Sequence, residues 1–381
     1  MTEKSSFALM YGAGNIGRGF IGERFYLSGY RTVFIDINDE VVDAMNRDGA
    51  YPLYVTDGDE YAETTIQKVS AVNGKDVSAV ACKIAQCEVM ATAVGVNVLP
   101  YIASNLANGI VKRYEAGKIP LNIIICENMI DCGKYLRSLI QTEFDKRAVS
   151  SDVTDYFARD VGLIEASVGR MVPQTPGDLR EHNLLSVCAE PYGVLPIDAD
   201  AVVGELPAID GVQPRGNFEF YIKRKLYMHN MSHATLAYLG FEKGCEYIAE
   251  AAENSEIYET VKAALSESAQ ALSLEFNADI AELHEHAADL LHRFKNKLLG
   301  DTVLRVGKDT IRKLSPNDRL TGAYLLSKKH GLDAANIHKG IKSALKFSPP
   351  MEFDPQSYEV SEFAKEFGED EAMKKYCSID A

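Results

Sequence analysis

Residues 7–36 read FALMYGAGNIGRGFIGERFYLSGYRTVFID, and the alternation within this stretch decides the fold class. Phe7 to Tyr11 is an apolar run of strand length, ended at once by Gly12-Ala13-Gly14-Asn15-Ile16-Gly17. Ile16, Phe20 and Leu27 recur at i, i+4 and i+11, one face of a regular α-helix. Gly29 suits the helix C-terminus, and Thr32 to Ile35 is a second buried strand that ends at Asp36. Three glycines at this spacing occur by chance in many chains, and a turn that merely packs is the plain alternative. Between a strand and a helix, however, each glycine has its own role. The first makes the tight turn, the second admits a pyrophosphate, and the third lets helix and strand approach. The helix N-terminus then offers N–H groups and a positive dipole end to phosphates. Gly12, Gly14, Asn15, Ile16 and Gly17 are therefore candidate cofactor-binding residues. Asp36 lies where a carboxylate accepts hydrogen bonds from ribose hydroxyls, and the next residues, Ile37-Asn38-Asp39, offer no cation for a 2′-phosphate. The expected ligand is NAD rather than NADP.

Outward from this stretch, apolar runs at 88–94 and 122–126 alternate with helix-like segments, as in a mostly parallel sheet with covering helices. Thr92 lies inside the first of these runs. From about Asn217 the pattern changes to long Ala-, Leu- and Glu-rich segments, such as 246–274 and 280–299, spaced for helices. The expected architecture is α/β: an N-terminal Rossmann-type dinucleotide-binding domain over 1–190, then a mainly α-helical substrate and catalytic domain over 191–381. Residues 89–111 carry no charge and are long enough to span a bilayer, but Asn97, Pro100, Asn105 and two glycines favour a strand, a turn and a helix inside the α/β domain.

The chain has 381 residues with 40 Lys plus Arg against 55 Asp plus Glu, a formal charge of -15, which disfavours nucleic acid as a partner and requires any anionic ligand to find a local basic cluster. Seven cysteines without a C-x-x-C pair fit reduced thiols in a cytoplasm and offer no thiolate zinc site. Only five apolar or aromatic residues precede the glycine turn, too few for a signal-peptide core. The expectation is a cytoplasmic protein with no membrane partner. Its oligomeric state is left open, and a monomer is compatible with the sequence.

The densest chemistry lies in Lys223-Arg224-Lys225-Leu226-Tyr227-Met228-His229-Asn230-Met231-Ser232-His233. On an α-helix Lys225, His233 and Asn230 fall at about 0°, 80° and 140°, one broad face rising over roughly 12 Å. A desolvated lysine can act as general base toward an alcohol, while Asn and His hold the oxygen that becomes a carbonyl. His229 and His233, at i and i+4, can be read as a metal pair, yet no Glu follows His229 and no metal is expected. A solvated basic stripe with structural histidines is the bland alternative. Farther on, Arg305, Lys308, Arg312, Lys313 and Arg319 stand against two aspartates in fifteen residues, a cluster able to hold a phosphate by charge-assisted hydrogen bonds, or else an exposed basic helix face.

The order Lys225, Asn230, His233 resembles the active-site helix of the polyol-specific long-chain dehydrogenases and reductases. The resemblance extends to residues 11–22, Thr92-Ala93-Val94-Gly95, Cys126-Glu127-Asn128, Arg305-Val306-Gly307 and Arg312-Lys313-Leu314-Ser315 with Asp318-Arg319-Leu320. It implies a metal-independent, NAD-linked oxidoreductase acting on a secondary alcohol. Within that family the chain is most similar to members interconverting D-mannitol 1-phosphate and D-fructose 6-phosphate, with relatives acting on free mannitol or a hexuronate, and hydroxyacid or phosphogluconate dehydrogenases, as alternatives. By the same resemblance Lys225 is the general base, Asn230 and His233 polarise the reacting oxygen, Thr92 and Asn128 bind the cofactor, Asn128 also belongs to the active site beside the substrate, and Arg170, Arg305 and Lys313 face the substrate. Relatives usually carry Asp before that arginine, where this chain has Gly169.

Overall fold

The computed structural model describes residues 6–117 and 119–379. They divide into two compact units. One runs up to Thr56 and continues from Tyr61 to Phe218; the other holds Asp57–Glu60 and everything from Glu219 onward. The break thus falls well after residue 190. The reason is that short strands beyond that point still belong to the first unit's sheets.

The first unit is built on a six-stranded parallel sheet of β1 (Phe7–Tyr11), β2 (Arg31–Asp36), β5 (Val69–Asn73), β6 (Val89–Thr92), β7 (Leu121–Ile125) and β8 (Val161–Glu165). Their order is β5-β2-β1-β6-β7-β8, the doubly wound arrangement in which the chain reverses direction across the sheet between β1 and β6. Both faces are covered. Ala8 and Met10 pack into one core with Phe20, Phe25 and Phe34, while Phe7, Leu9 and Tyr11 pack into the other with Ile123 and Leu136. That is why β1 reads as a continuous apolar run rather than an alternating one.

Between β2 and β5, β3 (Ala50–Val55) and β4 (Ala62–Gln67) form a hairpin, and β9 (Val187–Ala189) extends it in parallel. β10 (Leu195–Asp198) pairs with β11 (Val212–Arg215), and Ile197 bridges to Ala166. The apolar stretch from Val89 becomes strand β6, a short 3-10 turn and the helix Leu99–Glu115. No helix among the described residues is long and apolar enough to cross a membrane.

The second unit is helical. The segment 246–274, expected to be helical, forms two helices, Ile248–Glu253 and Ser255–Phe276, split at Asn254, whose side chain caps the second by accepting from the Glu256 and Ile257 amides. Residues 280–299 form Ile280–Arg293 and a 3-10 turn, Lys297–Leu299.

Among the described residues, two helices depart from regular periodicity. After the glycine turn, Gly17–Ile21 form a π turn before Gly22–Leu27 resume as α-helix. The extra residue rotates the rest of the helix, so Ile21 and Phe25 are buried while Leu27, placed on the buried face by a uniform 3.6-residue period, is only half-buried. The second π turn lies in the segment with the densest chemistry.

Candidate active site

In the first unit the three glycines do different physical work. Gly12 has φ +101°, and a Cβ there would collide with the Ala93 carbonyl oxygen. A Cβ on Gly17 would strike the Gly12 carbonyl oxygen, so only glycine lets the helix start this close to the turn. A Cβ on Gly14 would meet nothing within 4 Å. Packing explains Gly12 and Gly17 but not Gly14, whose bare backbone faces open space, as close approach of a pyrophosphate would require.

Asp36 stands beside this turn: Oδ2 accepts the Ala13 amide at 2.8 Å and Oδ1 the Asn38 amide at 3.0 Å. Ile37 next to it is 64% exposed. A nearby cation, Lys75, is paired with Asp39 at 3.3 Å. This geometry fits a dinucleotide with a free ribose 2′-hydroxyl.

The other first-unit candidates divide. Asn15 spends its amide on the Pro173 carbonyl at 2.9 Å, bracing the turn, and Ile16 packs partly against the core. Thr92 is fully buried at the end of β6, in register with Tyr11, so it shapes the switch point from within. The sequence reading gave Glu127 no role; this carboxylate clamps the loop after β6 by accepting the Val94 and Gly95 amides at 2.9 and 2.8 Å. Burial raises its pKa against the pull of those hydrogen bonds. Asn128 follows it and is exposed.

Arg170 differs from the substrate-facing position expected of it. It is buried, its Nη1 pairs with Glu23 and its Nε donates to the Glu190 carbonyl at 2.7 Å, making it part of an internal ion network with Arg24. Beside it, the ring of Tyr192 fills the space in front of Gly169, 3.2 Å from where a Cβ would stand.

In the second unit, Lys225–Asn230 form a π turn between the helices Phe218–Arg224 and Met231–Glu242. An i→i+5 turn brings residues five apart nearly over one another, so Lys225 and Asn230, some 140° apart on an α-helix, share a side here. Lys225 keeps some exposed surface as a residue, but its ammonium is closely surrounded. Desolvation, reinforced by Arg319 and Arg312 and opposed by Asp318, lowers its pKa to about 7. Asn230 Nδ2 and Arg319 Nη2 are buried and find no hydrogen-bond partner among the described residues. Two unmet donors near a lysine poised to lose its proton are what a bound oxygen-rich ligand would satisfy.

His233 stacks on Phe294 at 5.1 Å and 18°, and its Nε2 lies 3.0 Å from Asp301 Oδ2, a close electrostatic pair with poor hydrogen-bond alignment. Asp301 also takes Arg305 Nε at 2.8 Å. Burial alone would raise the Asp301 pKa, but His233 and Arg305 outweigh it and hold the carboxyl below its usual range. Asp301, absent from the sequence reading, is thus the anchor of both His233 and Arg305. His229 is buried against Phe294, and desolvation keeps its pKa well below the usual histidine value. Among the described residues no three His, Cys, Asp or Glu side chains converge as a metal site.

Lys313 is buried and donates to the Val306 carbonyl. Desolvation, then Arg319 and Arg312, push its pKa well below 10.5. Asp318 balances the cluster through Arg312 at 3.0 Å and Arg319 at 2.8 Å.

Comparison with known proteins agrees with this division. Residues 6–211 match the mannitol dehydrogenase Rossmann domain and 217–380 the mannitol dehydrogenase C-terminal domain. A mannitol-1-phosphate 5-dehydrogenase of Brevibacillus brevis is 36% identical over 375 residues, covering 98% of this chain and 94% of the relative. Another, of Oceanobacillus iheyensis, is 36% identical over 343 residues, 90% and 86% of the two chains. Among solved structures, D-sorbitol dehydrogenase in substrate-free form superposes with TM-score 0.75 over 97% of this chain and 91% of its own. Pseudomonas fluorescens mannitol 2-dehydrogenase, in a ternary complex with NAD and D-mannitol, gives 0.71 over 97% and 86%. Both are 16% identical and speak for the fold alone. With both of its domains matched and relatives aligned along nearly its full length, the chain belongs to the mannitol dehydrogenase family.

Proposed function

We propose that this protein is an NAD-dependent oxidoreductase that interconverts D-mannitol 1-phosphate and D-fructose 6-phosphate without a metal, with Lys225 as the proton-transferring group. The observation that carries the reading is Lys225, whose ammonium is closely surrounded beside Arg312 and Arg319 and whose pKa is lowered to about 7. Relatives at 36% identity bear the name of this activity. Asp36 and the turn at Gly14 hold the dinucleotide, which when bound accepts hydride. In the oxidation direction the neutral Nζ of Lys225 takes the proton of the C5 hydroxyl as the carbon gives up its hydride, leaving the ketone of fructose 6-phosphate. Asn230 Nδ2 donates to that oxygen. His233, held through Nε2 by Asp301 and by stacking on Phe294, donates from Nδ1 to the same oxygen only as the doubly protonated ring, since the neutral ring carries a single N–H. Such donors stabilise charge developing on oxygen without reorganising. The excess of cations over Asp309 and Asp318 supports a phosphate-bearing substrate. Seven free cysteines suit a cytoplasmic location.

The test is NADH oxidation by chelator-treated protein with fructose 6-phosphate and fructose in parallel. Turnover with the phosphate sugar alone is expected. Equal turnover with fructose would remove phosphate from the reading, and dependence on added metal would remove metal independence. Lys313→Met, which keeps side-chain volume, should raise KM for fructose 6-phosphate about tenfold or more, the loss expected for one charge-assisted contact, with KM for NADH unchanged. An unchanged KM for the sugar would take Lys313 out of the phosphate site.

A further inference from the structure

The π turn that aligns Lys225 with Asn230 has a cost that an α-helix does not. The Met231 amide donates to the Leu226 carbonyl, five residues back, with Met228 as a second acceptor. In an α-helix it would serve the Tyr227 carbonyl. That carbonyl is therefore bypassed in a buried place, where an unpaired backbone oxygen is disfavoured. It is met from outside its own helix: Ser268 Oγ, on the helix Ser255–Phe276, donates to it at 2.8 Å. Ser268 is 1% exposed among apolar neighbours on its own helix, including Leu265, Ala269 and Leu272, so no packing need explains a hydroxyl there. A second hydroxyl, Ser232 Oγ, donates to the Met228 carbonyl at 2.6 Å and reaches toward the His229 carbonyl at 3.2 Å. Gly322 completes the arrangement on another side, since a Cβ there would stand 2.7 Å from the Tyr227 hydroxyl.

We infer that Ser268 is a positioning residue for catalysis: by holding the bypassed Tyr227 carbonyl it keeps the helix in its π turn and so keeps Lys225 and Asn230 on one side. It touches neither substrate nor cofactor. This rests on the reading of Lys225 as the proton-transferring group. Without the hydroxyl, the segment lowers its energy by returning toward α-helix, where the Met231 amide pairs with Tyr227. The return turns Asn230 away from Lys225 and moves the lysine relative to Arg312, Asp318 and Arg319, and to His229 on its own turn.

Ser268→Ala, Ser268→Thr and Lys225→Met should be compared in steady-state turnover across pH, with NADH affinity measured by fluorescence titration. Ser268→Ala is expected to lower kcat tenfold to a hundredfold, on the order found when reacting groups are misplaced by about an ångström. KM for NADH should stay as it is, and the pH midpoint should move from about 7 toward the ordinary lysine range. Ser268→Thr, which keeps the hydroxyl, should restore kcat to within a fewfold and restore the midpoint. Should Ser268→Ala prove insoluble, Ser268→Cys keeps the shape with a weaker donor and should fall between Ala and Ser. If Lys225→Met abolishes turnover while Ser268→Ala, or Cys in its place, leaves kcat and the midpoint unchanged, Ser268 has no positioning role. If Lys225→Met itself loses less than about tenfold, the base assignment fails whatever Ser268 does.

Discussion

Lys225 holds its proton weakly because the protein around its ammonium removes water and two arginines add like charge. One aspartate, Asp318, is not enough to compensate. The consequence for rate has a definite sign. On the proposed role of Lys225, alcohol oxidation needs the neutral amine, so its kcat should rise as pH passes about 7 and level off above; ketone reduction needs the ammonium and should fall over the same range. The consequence for stability follows from proton linkage. Between about 7 and 10.5 the folded chain binds fewer protons at this site than the unfolded chain, so folding gains as pH rises through that window and bears the full cost below it. Lys225→Met should therefore lower kcat by two orders of magnitude or more, as for loss of a proton-transfer group, without lowering Tm at pH 7. A clear fall in Tm, read by calorimetry, would contradict the view of Lys225 as a destabilising group kept for function.

The glycine turn offers the corresponding experiment at the scale of an element. Gly14 and Gly17 belong to one short motif but answer to different forces. Gly17→Ala forces a Cβ into the Gly12 carbonyl oxygen, so the helix must back away from β1, and both Tm and NADH affinity should drop. Gly14→Ala meets nothing in the protein. Its Tm should stay within a degree or two, while on the proposed binding mode NADH affinity weakens at least tenfold, about 1.4 kcal/mol, since the new methyl would stand where phosphate oxygens approach. Isothermal titration beside thermal melting separates the two. Equal loss of Tm in both variants would mean that the motif is only a packing device. The motif was legible because its glycines, its strand and Asp36 are neighbours in sequence. Glu127 was not, since its contacts with Val94 and Gly95 bridge 33 and 32 residues.

At the scale of the whole molecule, two units with separate interiors share one chain. A ligand that binds a folded unit stabilises it by mass action, about 2.7 kcal/mol at a hundred times Kd. Calorimetric unfolding should therefore resolve into two transitions, with NADH raising the one that belongs to the Rossmann-type unit. A single transition that moves as a whole with NADH would show that the units unfold together. The net charge of -15 makes the cations between Arg305 and Arg319 an exception in their surroundings, and high salt should weaken fructose 6-phosphate binding through that cluster.

By itself the sequence determined the strand, turn and helix order, the change to an all-helical second half, and the candidate roles of Gly14, Asp36, Lys225 and Asn230, because each depends on residue type and short spacing. Tertiary structure decided what depends on neighbours distant in sequence. It committed Arg170 to Glu23, anchored His233 and Arg305 on Asp301, and carried the first unit to Phe218 through pairing by β9 to β11. It also decided both π turns. An extra residue in a helical turn leaves no mark on composition, and its stability depends on partners such as Ser268 for a carbonyl whose α-helical donor, the Met231 amide, has turned elsewhere.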